Sequence, residues 1–233
     1  AKEINSGELV AIKILDKKGK PKLGKQFKPG SSAEEKIRKE IAIMKKINHP
    51  NVVQLKEVLD DTNSRKIYLV LEFLEKGEVK WQKSPSVPWM TLPEAMRTFR
   101  DVVLGLEYLH YQGIIHRDIK PANLLISKDG SVKISDFGVS FASSLKAGEK
   151  QDDYELAKTG GTPAFFAPEN CRPLTNFNLD DPNSKDNKHP RISYKIDIWA
   201  LGVTLYCLLF GSMPFWATNE FELFKVICDE PLG

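Results

Sequence analysis

The chain has 233 residues, 41% of them hydrophobic and 28% charged, with a formal net charge of +3. That is enough for one large domain or two small lobes with apolar cores, and too balanced in charge to suggest a nucleic-acid partner. Three cysteines (Cys171, Cys207, Cys228) without metal-ligand spacing argue against a zinc site or a disulfide scaffold, and the longest apolar run, 198–210, is too short to span a bilayer. A reducing compartment, the cytoplasm or the nucleus, is therefore expected, with no membrane partner.

In chain order, residues 1–15 read as a hairpin turning at Asn5-Ser6-Gly7 into a strand over 8–15. Residues 17–30 hold six lysines, two prolines and three glycines and no acid, the composition of a solvated loop. Ser32 and Glu35 form a capping-box pattern ahead of a helix whose apolar positions are Ile37, Ile41, Met44 and Ile47. The Asn48-His49-Pro50-Asn51 run ends it, since a proline disfavours helix in the residue before it.

Strands are predicted at 52–58 and 66–73, then a linker rich in Pro, Ser and Lys over 75–90. A second capping box, Thr91 with Glu94, opens a long amphipathic helix through Phe99, Val103, Leu106 and Leu109. Beyond it the chain reads as helical apart from a hairpin at 124–134, a long loop over 138–166 and a polar insert over 173–192. The pattern predicts an α+β chain of two lobes, with a boundary near residue 75.

The chemistry begins at Lys13. Strand alternation puts Leu9, Ala11, Lys13 and Leu15 on one face, so this lysine lies among apolar neighbours and needs an anionic partner. Glu40 lies inside the apolar arc of the first helix, three residues after Ile37 and four before Met44. Either charge alone is more commonly a surface residue; the two together make a natural ion pair. Further on, Asn123 precedes one arm of the 124–134 hairpin and Asp136 follows the other, so an amide oxygen and a carboxylate meet at its open end. Such oxygens suit a hard cation such as Mg²⁺. Asp118 can face the same spot and accept a hydroxyl proton, and Lys120 supplies a cation for a transferring phosphate. By itself this hairpin is weak evidence.

The ordered set changes that. Val10-Ala11-Ile12-Lys13, Glu40, His116-Arg117-Asp118 through Asn123, Asp136-Phe137-Gly138 and Ala167-Pro168-Glu169 resembles the protein-kinase family. The resemblance implies a two-lobed kinase fold, with a small, mostly β N-lobe (1–74) and a larger, mostly α C-lobe (75–233), truncated at both ends. It implies ATP and Mg²⁺ as cofactors. Lys13 would hold the α- and β-phosphates and pair with Glu40; Asp118 would be the catalytic base, with Lys120 beside it; Asn123 and Asp136 would be the metal ligands. Ala11 and Leu125 would line the adenine site, with Glu72 and Leu74 as backbone hinge groups behind Leu71, and Glu78 at the ribose. Spine positions map to Met44, Leu55, His116 and Phe137, and Asp197 would anchor the catalytic loop from beneath. Lys120 and the Gly161-Thr162-Pro163 segment imply Ser/Thr specificity, with Thr162 bonded to Asp118 and Lys120.

Within that family, residues 40–61, 109–125, 159–169 and 197–210 are similar to calcium/calmodulin-dependent protein kinase kinases and to the fungal upstream kinases of the AMP-activated protein kinase orthologue. This implies another Ser/Thr kinase as protein substrate, and calmodulin as a partner through a tail outside this chain. No Gly-rich loop precedes Lys13, and Lys158 stands four residues before Thr162, where many kinases carry a phosphosite. The expectation is activity without activation-loop phosphorylation, with Asp152, Asp153 or Glu155 facing Arg117 in place of a phosphate. The alternative is a nucleotide-binding pseudokinase scaffold, or a Ser/Thr kinase of another subgroup. All five of Lys13, Glu40, Asp118, Asn123 and Asp136 being present favours the enzyme.

Overall fold

The computed structural model describes residues 1–17, 33–142, 160–171 and 193–229. Ser32, the lysine-rich loop beyond Lys17 and the insert over 173–192 lie outside them, as do Asp152, Asp153, Glu155 and Lys158.

Three antiparallel strands form the small lobe: β1 (Val10–Asp16), β2 (Leu55–Asp60) and β3 (Lys66–Glu72), in the order β1-β3-β2. A helix, α1 (Ala33–Lys46), packs on this sheet through Ile37, Ile43 and Met44, all buried. The opening hairpin is present, with Lys2 bridged to Leu9 and the turn running through Asn5 and Ser6. The strand starts two residues later than expected, and Leu9 is 51% exposed instead of lying on the inner face. From Ala11 to Leu15 alternation holds: Ala11, Lys13 and Leu15 turn inward while Ile12 and Ile14 are exposed.

The predicted 52–58 strand is corrected in a way that matters for the site. Val52 and Val53 do not join the small sheet. Val52 bridges Ile134 in parallel, Val53 N donates to the Ile134 carbonyl at 2.9 Å, and Ile134 N donates to the Asn51 carbonyl at 2.9 Å. The segment after α1 is thus fastened to the large lobe. Its apolar run cannot tell which sheet will take it, because periodicity carries no partner information.

The 75–90 linker is also more structured than its composition suggests. It holds β4 (Gly77–Glu78), β5 (Gln82–Ser84) and β6 (Val87–Pro88). The long helix follows as α2 (Leu92–Tyr111), and the Thr91 backbone N–H donates to Glu94 Oε2 at 2.8 Å. Its buried face runs through Ala95, Thr98, Val102, Gly105, Leu106 and Leu109, whereas Val103 is 37% exposed, so the true arc sits one residue earlier there.

The hairpin is β8 (Leu124–Ile126) and β9 (Val132–Ile134), with β4 completing a sheet of order β4-β8-β9. The described residues of the loop predicted over 138–166 include a short strand, β10 (Phe141–Ala142), paired with β7 (Ile114–Ile115), and a 3₁₀ turn at Pro163–Phe165. Three further helices are described: α3 (Pro168–Cys171), α4 (Lys195–Phe210) and α5 (Glu220–Asp229). Along α4, apolar residues occur nearly all round, the pattern of a helix with protein on most sides.

One continuous apolar cluster links the lobes, from Ile37 and Met44 through Val52, Leu106 and Ile134 to Leu201, Cys207 and Phe215. Burying each such side chain contributes about 1.5–3 kcal/mol. The candidate site motifs therefore sit on the flanks of a shared core rather than on loops hung from separate domains.

Candidate active site

Lys13 sits mid-strand in β1 and its side chain is 31% exposed. Its ammonium bonds Glu40 Oε1 at 2.7 Å and Asp136 Oδ1 at 2.6 Å, joining the small sheet, α1 and the large lobe. Glu40 is buried on α1, as its place in the apolar arc requires. Burial alone pulls the Lys13 amine down, but Glu40 and Asp136 outweigh it and hold the ammonium above its ordinary value. Burial pushes the Asp136 carboxyl up, and the Lys13 hydrogen bond and charge more than reverse that, leaving it below the usual range.

Asp136 adopts φ +62°, in the left-handed region that side chains other than Gly, Asn and Asp rarely enter. This turns its carboxylate, half exposed, into the space between the lobes. Arg117, at φ +70°, is the other strained residue of the site.

The residues of the 116–123 loop are cross-braced. Asn123, buried, donates from Nδ2 to both the Asp118 backbone carbonyl and Asp118 Oδ2, each at 2.8 Å. Its own carbonyl accepts from Ser135 N and Ser135 Oγ at 2.9 Å, so Asn123 is tied to the residue preceding Asp136. Lys120 Nζ reaches Asp118 Oδ2 at 2.8 Å and Thr162 Oγ1 at 2.6 Å, and Thr162 donates to Asp118 Oδ1 at 2.7 Å. Gly161, at φ +110°, makes that approach feasible, because a Cβ there would lie 2.4 Å from the Arg117 carbonyl oxygen.

Beneath the loop, Asp197 is fully buried in the first turn of α4, where the helix dipole favours a carboxylate. It accepts from His116 N, Arg117 N and His110 Nε2, all at 2.8 Å. His116 is also fully buried and packs edge-on against Phe137, with ring centroids 5.2 Å apart. Its Nε2 donates to the Ser135 carbonyl at 2.9 Å while Nδ1 accepts from Asp118 N at 3.3 Å. That is the neutral tautomer, consistent with burial pulling its pKa down against the pull of Asp197.

The remaining expected positions lie on or next to strands of the two lobes. Ala11 pairs with Leu71 across β1–β3, Val10 pairs with Glu72, and Leu74 is buried just beyond the strand end. From the large lobe, Glu78 pairs with Leu125 across β4–β8. Sequence reading missed Ser135, His110 and Lys133, whose ammonium bonds Glu72 Oε2 at 2.6 Å. Lys133 was legible in principle, since it stands opposite Leu125 on the hairpin, but its partner is 61 residues away.

The donor set fits a magnesium ion. An ammonium already bonds the Asp136 carboxylate, and with Nδ2 of Asn123 spent on Asp118 its amide oxygen is the group left for a cation. Among the described residues no cluster of three or more His, Cys, Asp or Glu could hold a metal.

A family model described as the protein kinase domain matches residues 1–232. The chain is 58% identical over 227 residues to serine/threonine-protein kinase ssp1 of Schizosaccharomyces pombe, covering 97% of this chain and 33% of that protein. It is 54% identical over 253 residues to SNF1-activating kinase 1 of Saccharomyces cerevisiae, covering 100% and 22%. To a calcium/calmodulin-dependent protein kinase kinase of Caenorhabditis elegans it is 44% identical over 196 residues, covering 84% and 32%. The chain thus spans a third or less of the length of each of these relatives.

Proposed function

The chain belongs to the protein kinase family, and from that premise we propose that it transfers the γ-phosphoryl group of ATP to a Ser or Thr hydroxyl of a protein, the substrate being another Ser/Thr kinase. One observation carries this best: a hydroxyl, that of Thr162, already sits between the Asp118 carboxylate and the Lys120 ammonium. A site that binds its own threonine this way has the donor and acceptor for an incoming one.

In this reading the adenine lies between Ala11 and Leu125, against the backbone of Glu72 and Leu74 behind Leu71, with Glu78 at the ribose. Lys13, oriented by Glu40, holds the α- and β-phosphates. Asp118 accepts the proton as the substrate oxygen forms its bond to phosphorus, and the ADP oxygen leaves with the electron pair of the broken bond. Asn123 and Lys120 fix the rotamer of Asp118 beforehand, so little orientation remains to be gained at the moment of reaction. Lys120 also balances charge on the moving phosphoryl group. Asn123 and Asp136 would hold magnesium, which when bound neutralises phosphate charge.

Names of the relatives support the choice of substrate, since one is named an SNF1-activating kinase and another a protein kinase kinase. For the longer protein we extend the proposal to calmodulin as a partner, on resemblance alone, with stimulation of turnover by calcium and calmodulin as its test. Cytoplasm or nucleus is proposed on the few cysteines, which are free thiols among the described residues.

The experiment is phosphate transfer from labelled ATP by the full-length protein to activation-loop peptides bearing Thr, Ser or Tyr. Transfer to Thr or Ser, abolished in Asp118→Asn, is expected. Labelling of Tyr alone, or nucleotide binding without turnover, overturns the proposal.

A further inference from the structure

Glu72 ends β3, and both oxygens of its carboxylate are used. Oε1 accepts from Gln54 N at 2.7 Å, while the Gln54 carbonyl accepts from Glu72 N at 3.1 Å. Oε2 takes the Lys133 ammonium at 2.6 Å. The two side chains are only 17% and 19% exposed. Lys133 belongs to the large-lobe hairpin and Glu72 to the small sheet, so the pair spans the lobes at the hinge end of the cleft. Lys13 with Asp136 spans them at the phosphate end.

Register places the hinge pair beside the adenine. Lys133 is the cross-strand partner of Leu125 in β8–β9, and such partners project from the same face of a sheet. Leu125 is the floor of the proposed adenine site. Across the cleft, Glu72 directly follows Leu71, the partner of Ala11 at the roof. Floor, roof and hinge are therefore connected through one carboxylate and one ammonium.

An exposed ion pair contributes little, because solvent competes and two long side chains must be ordered. This pair is largely withdrawn from water, and its carboxylate is fixed from two directions. We propose that Lys133 and Glu72 are a positioning pair that holds the hinge backbone, 72–74, at the spacing adenine requires before nucleotide arrives. The proposal rests on the cleft being an ATP site. Preorganisation removes a cost of binding, so its signature falls on nucleotide affinity and not on the chemical step, whose residues sit at the other end of the cleft.

The test uses the full-length protein with Lys133→Met, Lys133→Arg, Glu72→Gln and the Lys133→Met/Glu72→Gln double variant. ADP affinity is measured without turnover, and KM for ATP and kcat with it. Lys133→Met is expected to raise Kd for ADP and KM for ATP about fivefold, the scale of one charge-assisted contact, with kcat within about twofold of wild type. Arginine should restore affinity, and Lys133→Met should add little once Glu72 is Gln. Unchanged affinity, a parallel fall in kcat, a rise in kcat alone, or an arginine variant as weak as methionine would each overturn it. Thermal denaturation of the four variants separates these from loss of fold. If wild type binds ADP but turns nothing over, the phosphotransferase proposal fails while the ADP affinities still decide the pair.

Discussion

The Thr162 hydroxyl donates to Asp118 Oδ1 at 2.7 Å, although 44 residues separate the two. The contact seats the segment after Gly161 against the catalytic loop, and it makes the contributions of the two residues separable. In Thr162→Val the carboxylate keeps Lys120 and Asn123, so we expect turnover to fall about tenfold. In Asp118→Asn the proposed proton acceptor itself is gone, and the loss should reach about 10²–10⁴-fold. Steady-state kinetics on a Thr peptide, with circular dichroism to confirm folding, check both; equal losses would show that Asp118 acts only through Thr162.

Acid stability should report on His116. Its folded pKa is depressed, so the unfolded chain binds the extra proton first and stability falls as pH drops below the ordinary value of 6.5. The slope from this one group is at most about 1.4 kcal/mol per pH unit, ending once pH passes the folded pKa. Denaturant titrations at pH 7.5 and 5.5 should show that loss in wild type. A smaller loss is expected in His116→Tyr, which keeps a ring and a donor but does not titrate there.

Lys13 and Asp136 should leave the neutral range flat. The raised lysine contributes stability below its unfolded value of 10.5 and loses it only as pH rises through the folded value. The depressed aspartate contributes above 3.8 and loses it as pH falls through its folded value. Lys13→Met should lower stability at neutral pH, because Glu40 is left buried without its partner. A Lys13→Met variant as stable as wild type in urea unfolding at pH 7 would contradict the assignment.

Asp197 is a structural carboxylate on which two backbone amides and an imidazole converge. Asp197→Ala leaves those amides buried without acceptors, at about 1–3 kcal/mol each. We expect a cooperative loss of Tm together with loss of turnover, and not a folded protein with altered KM.

Gly105 sets two effects against each other. Alanine is favoured over glycine in a helix by about 1 kcal/mol. Yet its Cβ would lie 2.6 Å from the Asn51 carbonyl oxygen, the acceptor for Ile134 N, and 3.1 Å from the Ile134 side chain. Overpacking of that kind costs about 1–3 kcal/mol, so Gly105→Ala should be net destabilising in chemical denaturation.

Local rules in the sequence determined the elements themselves. Alternation in 10–16 turned Lys13 inward, the arc of the first helix turned Glu40 inward, and the hairpin at 124–134 brought Asn123 and Asp136 toward one end. Each follows from a period of 2 or 3.6, or from a turn, and acts within about a dozen residues.

Only tertiary structure decided partners. The chain order contains no sign that Val53 would bond Ile134 instead of joining β2, that Glu72 would receive Lys133, or that His110 would share Asp197 with the catalytic loop. Those contacts join residues 61 to 87 apart in the chain where the separation is longest. They exist because burial leaves a carboxylate or carbonyl little water to bond, and packing brings donors from distant elements within its reach.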